Sequence, residues 1–293
     1  MQTSFSLYKS KITLMKKTAY KRLLCILMLL GGIIFTLPVH AQKIKWNKVK
    51  VLVYTKNGKG YVHDNIANSV EAIQALGKQY GFTVDASEDP AKFTDENLKQ
   101  YDVLIFSNTN NDVFDTDAQR VALMRYIQAG GNFVGLHSAC GTERSWRWFK
   151  NLLGGTFFWH EPGQSFSVNV LDSKNPSLAH LLKKWDRAKD EFYFLKEMSV
   201  NLNVLAVNDH TTIQKPAGKA LDTFGKVFPS VWWHEYDGGR AFYTSLGHEK
   251  EDYLKDDLRK HILGGIEWAI GPQKPRNYAK AYAKTPNDEI QSK

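Results

Sequence analysis

Cysteine is nearly absent from this chain, with only Cys25 and Cys140. Cys25 lies in a segment read below as a removable leader. The remainder then has one thiol and no internal disulfide, so its stability must come from a buried core. Cys25 does not read as a lipid-attachment site either, because Arg22-Leu23-Leu24 precede it where small residues are needed. No apolar run reaches the ~20 residues of a comfortable membrane span. The longest, Leu23 to Leu37, is broken by Gly31-Gly32. Phosphate-cradling motifs are also missing. Lys56-Asn57-Gly58-Lys59-Gly60 follows the first predicted strand but matches neither G-x-G-x-x-G nor a P-loop, so no nucleotide is expected. There is no H-E-x-x-H, and no basic stripe interleaved with aromatics of the kind that binds single-stranded nucleic acid.

The first 41 residues read as a signal peptide. A basic n-region (Lys9, Lys11, Lys16, Lys17, Lys21, Arg22) precedes the short apolar stretch, and Val39-His40-Ala41 supplies small residues before a cleavage point at Gln42. A periplasmic protein with no stable membrane insertion after cleavage is the expectation. The leader holds those six basic residues and no acidic ones, so the formal charge of +9 falls to +3 without it. That ordinary balance does not call for nucleic acid or an anionic membrane as partner.

From Lys48 onward, strand and helix signals alternate. Lys48 to Thr55 reads as a buried strand, and Ile66, Val70, Ile73 and Leu76 recur at helical spacing up to Gly81. Thr83 to Ala86 and Val103 to Phe106 are further strands. Thr116 and Gln119 form a capping box for a helix that stops at Gly130-Gly131, before a fourth strand at Asn132 to Leu136. This β-α-β-α-β-α-β order predicts an α/β fold with a doubly wound, mostly parallel sheet and ligand sites at the strand C-terminal ends. The C-terminal half adds strand candidates at 165–170, 203–207, 227–233 and 240–246, the last two joined by an Asp237-Gly238-Gly239 hairpin turn. A helix over Tyr253 to Ile270, with Leu254, Leu258, Ile262 and Ile266 on one stripe, ends at Gly271-Pro272. Residues 273–293 read as a polar, frayed tail.

Five histidines follow predicted strands or lie in Gly-rich connections: His63, His137, His160, His234 and His248. In a parallel sheet such positions converge on one edge, and imidazole serves equally as metal ligand and as general base. Asp190-Glu191 abuts the aromatic run Phe192-Tyr193-Phe194. The aromatics Trp146, Trp148, Trp159, Trp232 and Trp233 sit around the same connections, where flat rings either fill a core or stack on sugars. Gly135-Leu136-His137-Ser138-Ala139 has the position of a nucleophile elbow but carries His at the turn. Cys140, three residues on, leaves a cysteine-nucleophile hydrolase as one alternative.

Taken together, His63-Asp64, Gly130-Gly131 with Gly135-Leu136-His137-Ser138, Leu153-Gly154-Gly155 through His160, Asp190-Glu191-Phe192-Tyr193, Trp233-His234-Glu235 and Gly239 through His248 resemble the ThuA-like, or trehalose-utilisation, family over about residues 48–271. The resemblance implies one domain over 42–272. Its fold would be flavodoxin-like, similar to class I glutamine amidotransferases, with His137 standing where that fold usually carries cysteine. It also implies a sugar or glycoside substrate, including 3-keto sugars. On that basis His137 and Glu191 are expected as acid/base groups. A divalent metal, zinc by preference, is expected on histidines among His63, His160, His234 and His248, with His160 and His248 favoured. Asn108, Trp159, Tyr193 and Trp233 are the expected substrate contacts. A non-catalytic sugar-binding module is the other alternative.

Overall fold

In the computed structural model, residues 44–214, 225–272 and 274–291 are described. The leader and its cleavage point lie outside them. Eleven strands are present among the described residues: β1 (Lys50–Tyr54), β2 (Thr83–Ser87), β3 (Val103–Ser107), β4 (Asn132–Leu136), β5 (Thr156–His160), β6 (Gln164–Val170), β7 (Lys184–Asp190), β8 (Tyr193–Lys196), β9 (Asn203–Asp209), β10 (Phe228–Tyr236) and β11 (Gly239–Thr244). Nine of them form one sheet in the order β2-β1-β3-β4-β11-β10-β9-β6-β7, and β5 pairs with β8 in a separate ribbon. From β2 to β11 the neighbours are parallel. From β11 to β7 they are antiparallel.

The helices are α1 (Ile66–Tyr80), α2 (Asp95–Leu98), α3 (Asp117–Gln128), α4 (Arg147–Leu153) and α5 (Asp256–Ile270). Two apolar clusters show that both faces of the sheet are covered. One joins Ile73 and Leu76 of α1 to Ile262 and Ile266 of α5 over Val53, Ile105 and Val134. The other sets Leu123 and Ile127 of α3 with Phe149 and Leu152 of α4 against Leu104, Phe106 and Phe133. Successive strand residues face opposite sides, so a strand buried on both needs an unbroken apolar run, and β3 has one in Val-Leu-Ile-Phe. The Thr116–Gln119 capping box is present, and α1 ends where Gly81 adopts φ +95°.

Three expectations change. Helix α5 begins at Asp256; residues Lys250–Leu254 form a separate 3-10 turn, and Leu254 is exposed rather than on the buried stripe. Strand β7, Lys-Trp-Asp-Arg-Ala-Lys-Asp, is too charged to read as a strand, yet it forms the sheet edge, where charge discourages further pairing. Residues 274–291 pack back instead of fraying. Gln128 Oε1 accepts from the amides of Tyr282 and Ala283, the Tyr282 hydroxyl donates to Asp237, and Trp146 Nε1 donates to the Pro286 carbonyl.

Candidate metal centre

The C-terminal ends of the parallel strands meet at one edge, as this topology requires. After β1 the chain delivers His63; after β3, Asn108; after β4, His137; and after β11, His248. Glu191 arrives from elsewhere, in the two-residue link between β7 and β8.

His137 is the hub. It leaves β4 with φ +49°, a left-handed conformation that a residue with a side chain adopts only when its surroundings hold it there. The Tyr243 hydroxyl donates to its carbonyl at 2.7 Å. Its ring is fully buried, and Nδ1 lies 2.8 Å from the Ser245 carbonyl. A carbonyl can only accept, so Nδ1 carries the proton and the Nε2 lone pair faces the cluster. Around that nitrogen lie Tyr193 Oη at 3.0 Å, His63 Nε2 at 3.2 Å, His248 Nδ1 at 3.3 Å and Glu191 Oε2 at 3.4 Å. Glu191 Oε2 is also 3.3 Å from His248 Nδ1, while its Oε1 faces His160 Nε2 at 3.4 Å.

One lone pair cannot serve four neighbours. Buried Glu191 Oε2 makes no hydrogen bond, and neither does His63 Nδ1. A cation would resolve the crowding, because it would accept a lone pair from each donor. One ligand atom from each of His63, His137, Glu191 and His248 lies within 4.8 Å of all the others. Tetrahedral ligands about 2.0–2.1 Å from zinc would be separated by about 3.3 Å, close to the His63–His137, His137–His248 and His248–Glu191 spacings. Three imidazoles and a carboxylate suit zinc or another first-row divalent ion.

For His63 and Glu191 the protonation states fit a cation as well. Burial, aided by neighbouring His137, pushes His63 down to about 3, so it is neutral at pH 7. Burial alone would raise the Glu191 carboxyl, but the His137 and His248 rings outweigh it and hold the group far below the usual carboxylate range. Burial would lower His248, yet Glu191 raises it, so a cation bound there would have to displace the proton that Glu191 favours on this ring.

Asp190 supports the arrangement from beneath. Its fully buried carboxylate accepts from the Glu191 amide at 2.8 Å, the His248 amide at 3.2 Å, the Gly247 amide at 3.1 Å and Arg187 Nε at 3.2 Å. One carboxylate therefore ties together the two segments that carry Glu191 and His248. Gly247, at φ +107°, is confined by the Tyr253 hydroxyl, which a Cβ would approach to 3.0 Å.

The other expected residues divide. His160, at the end of β5, stands at the rim; its Nδ1 is held by the Glu161 carbonyl at 2.7 Å, which leaves Nε2 toward Glu191. Tyr193 touches His137 directly. Asn108, with φ +54°, donates to the Tyr253 hydroxyl at 3.1 Å, and its buried Oδ1 has no partner. Trp159 packs on Phe194, next to His160 along β5.

His234 and Trp233 do not join the cluster. Both lie inside β10, which runs antiparallel to β11, so the end of β10 points to the opposite edge of the sheet. His234 pairs with Ala241, itself opposite Phe133 near the start of β4, and its Nε2 is bonded to the Leu152 carbonyl at 2.8 Å. Trp233 packs at a tilt against Trp268, with ring centroids 4.5 Å apart. Cys140 is buried with its thiol pushed up to about 12 by burial, and its Sγ lies 3.6 Å from the His137 carbonyl, a poor nucleophile. Sequence reasoning missed Asp190 as a support, although it was visible beside Glu191. It also missed Tyr61, whose ring meets that of His63 edge-on.

A family model described as trehalose utilisation matches residues 50–269. Among solved structures, a ThuA-like protein from Bacteroides uniformis shares 23% identity at a TM-score of 0.66, covering 82% of this chain and 98% of that one. A ThuA-like protein from Parabacteroides merdae shares 20% identity at a TM-score of 0.60, with 81% and 99% covered. A cytoplasmic protein from Salmonella typhimurium aligns at 9% identity and a TM-score of 0.54, over 75% of this chain and 98% of that one. At these identities the likeness concerns the fold. No curated protein matches the chain by sequence.

Proposed function

The chain belongs to the ThuA family, named for trehalose utilisation, and from that premise we propose that it is a carbohydrate-processing enzyme acting on a glycoside or 3-keto sugar around a divalent metal, zinc by preference. The observation that supports this most is the set of four converging donor atoms on His63, His137, His248 and Glu191 at the ligand-binding edge of the sheet. Such a metal, when bound, polarises a carbonyl oxygen and so acidifies the neighbouring C–H.

The roles proposed here differ from the expectation. His137, with Nε2 at the centre of the donors, serves as a ligand, and the base is His160. The Glu161 carbonyl holds the His160 tautomer, and Nε2 is free to take the proton next to a keto group. Glu191 Oε1 stabilises the imidazolium that results. Loss of the proton then expels the substituent β to the keto group, which carries away the bonding pair. Tyr193 has its pKa raised well above the usual phenol value by burial, so it remains an O–H donor for a substrate oxygen. The leader reading adds a periplasmic location; the amino terminus of exported protein should then begin at Gln42.

The test is incubation of the purified protein, with and without zinc, with trehalose, simple glucosides and their 3-keto forms, followed by mass spectrometry. His160→Ala should abolish turnover while zinc still binds; His137→Ala should abolish both. Zinc-loaded protein that turns over none of these sugars, nor their uronic-acid and 6-phosphate counterparts, would sink the enzyme reading in favour of a sugar-binding module.

A further inference from the structure

Tyr61 and Arg144 stand beside the cluster, and the mechanism above does not use them. Tyr61 is 61% exposed, although it lies in the segment that carries His63 and meets that ring edge-on at 4.8 Å. Its backbone is nonetheless fixed. Asn110 Nδ2 donates to the Tyr61 carbonyl at 3.2 Å, and the Gly58 amide donates to the Asn110 carbonyl at 2.8 Å. Gly58 is seated so closely on Asp112 that a Cβ would lie 2.5 Å from its backbone. A flat apolar ring, open to solvent on an anchored loop beside polar catalytic groups, is suited to stacking on a sugar face at small entropic cost.

Asn110 also leads to Arg144. Its Oδ1 accepts from Arg144 Nη2 at 3.0 Å, and Arg144 Nε donates to the Gly141 carbonyl at 2.9 Å. The guanidinium lies 5.3 Å over the Phe157 ring, which in turn contacts Tyr193 at 4.9 Å and His160 at 5.7 Å. Arg144 is thus exposed yet held on three sides, always by neutral groups. Lys56 faces Asp115, Lys189 faces Glu249 and Lys250 faces Asp64, whereas among the described residues Arg147 and Lys59, like Arg144, pair with no carboxylate but are not held by neutral partners as Arg144 is. Among the described residues no carboxylate pairs with Arg144. A guanidinium fixed in place, with Nη1 unused and no counter-anion, is a preorganised anion receptor.

We infer that Tyr61 and Arg144 grip the substrate, and that the substrate is a sugar bearing an acidic group, a carboxylate or a phosphate. This rests on the reading of the cluster as a sugar-processing centre.

Calorimetric titration of the zinc-loaded protein with methyl glucoside, methyl glucuronide and glucose 6-phosphate tests it. At least one acidic probe should bind about tenfold more tightly than the neutral one, and which of them does so separates carboxylate from phosphate. Arg144→Gln should erase that preference and leave methyl glucoside within about twofold, whereas Tyr61→Ala should weaken all three about 5- to 20-fold. The preference should also shrink with added salt in the unaltered protein, a readout that needs no variant. Equal binding of neutral and acidic probes, or a preference that survives Arg144→Gln, overturns the inference while the sugar reading stands. Binding of none of the three, with zinc bound, overturns both.

Discussion

Asp190→Asn removes one negative charge from the base of the site and almost no volume. In the parent, each carboxylate oxygen accepts two hydrogen bonds: Oδ1 from the amides of Glu191 and His248, Oδ2 from the Gly247 amide and Arg187. Asparagine can accept at one oxygen only, and its Nδ2 turns two donors toward each other. Arg187 keeps Asp252 as its remaining buried counter-ion. Hydrogen bonds to a charged group contribute about 1.5–3 kcal/mol each, so losing two should cost roughly 3–6 kcal/mol. For a domain of this size a kcal/mol corresponds to roughly 2–4 °C, which gives a fall in Tm of about 10 °C. Because Asp190 positions Glu191 and His248 without touching a metal, zinc affinity should also fall about 10- to 100-fold. Thermal melts with and without zinc, combined with competition against a chromophoric chelator, read both effects. A variant that melts within about 2 °C of the parent and holds zinc equally well would refute the positioning argument.

Other outcomes follow from the same geometry. Zinc at about 1,000 times its Kd should stabilise the protein by roughly 4 kcal/mol, and His63→Ala or His248→Ala should abolish the rise in Tm. His234→Ala, altered at the opposite edge, should leave the zinc titration unchanged. Cys140→Ala should lower Tm by a few degrees through lost packing yet leave turnover intact; lost turnover with zinc still bound would revive the cysteine-nucleophile reading. Stability should also fall in acid because of His261, whose ring is fully buried between Trp185 and Phe242 and is lowered to about 3 by that burial. The unfolded chain protonates this residue near pH 6.5 and the folded one only near 3. Its contribution is therefore complete above 6.5 and is lost as pH falls across that window, by at most roughly 3–5 kcal/mol. His261→Phe should flatten this part of the pH–Tm curve, and an unchanged slope would show that other groups dominate it.

What could be read from the chain was local or followed from local order. Apolar period, a capping box and Gly81 placed β1, α1, β3, α3 and β4 within a residue or two, because those signals act between near neighbours. The β-α-β order also fixed strand direction, and with it the edge where His63, His137 and His248 emerge. Helix α5 shows the limit: a continuous hydrophobic stripe concealed the break at Lys255, where the chain changes from a 3-10 turn to α-helix.

Direction in the second half was only half legible: the Asp237-Gly238-Gly239 turn already makes β10 antiparallel to β11, but that β11 runs parallel to β4 belonged to tertiary structure. A histidine after an apolar run looks the same in a parallel and an antiparallel strand, and the parallel pairing of β11 with β4 is what places the end of β11 at the site edge and so sends His234 and Trp233 of β10 to the far one. Likewise nothing within Asp190-Glu191 says that its carboxylates meet His137 and His248, more than fifty residues away on either side. Which ring nitrogen is free is also a long-range matter, and for His137 the Ser245 carbonyl decides it across 108 residues. Sequence alone determined the elements and the residue types available at one edge, because those follow from short-range sterics and burial. Only the folded chain decided which imidazoles point inward, which one is tied off and which carboxylate completes the set, because those are contacts between segments that local propensity does not link.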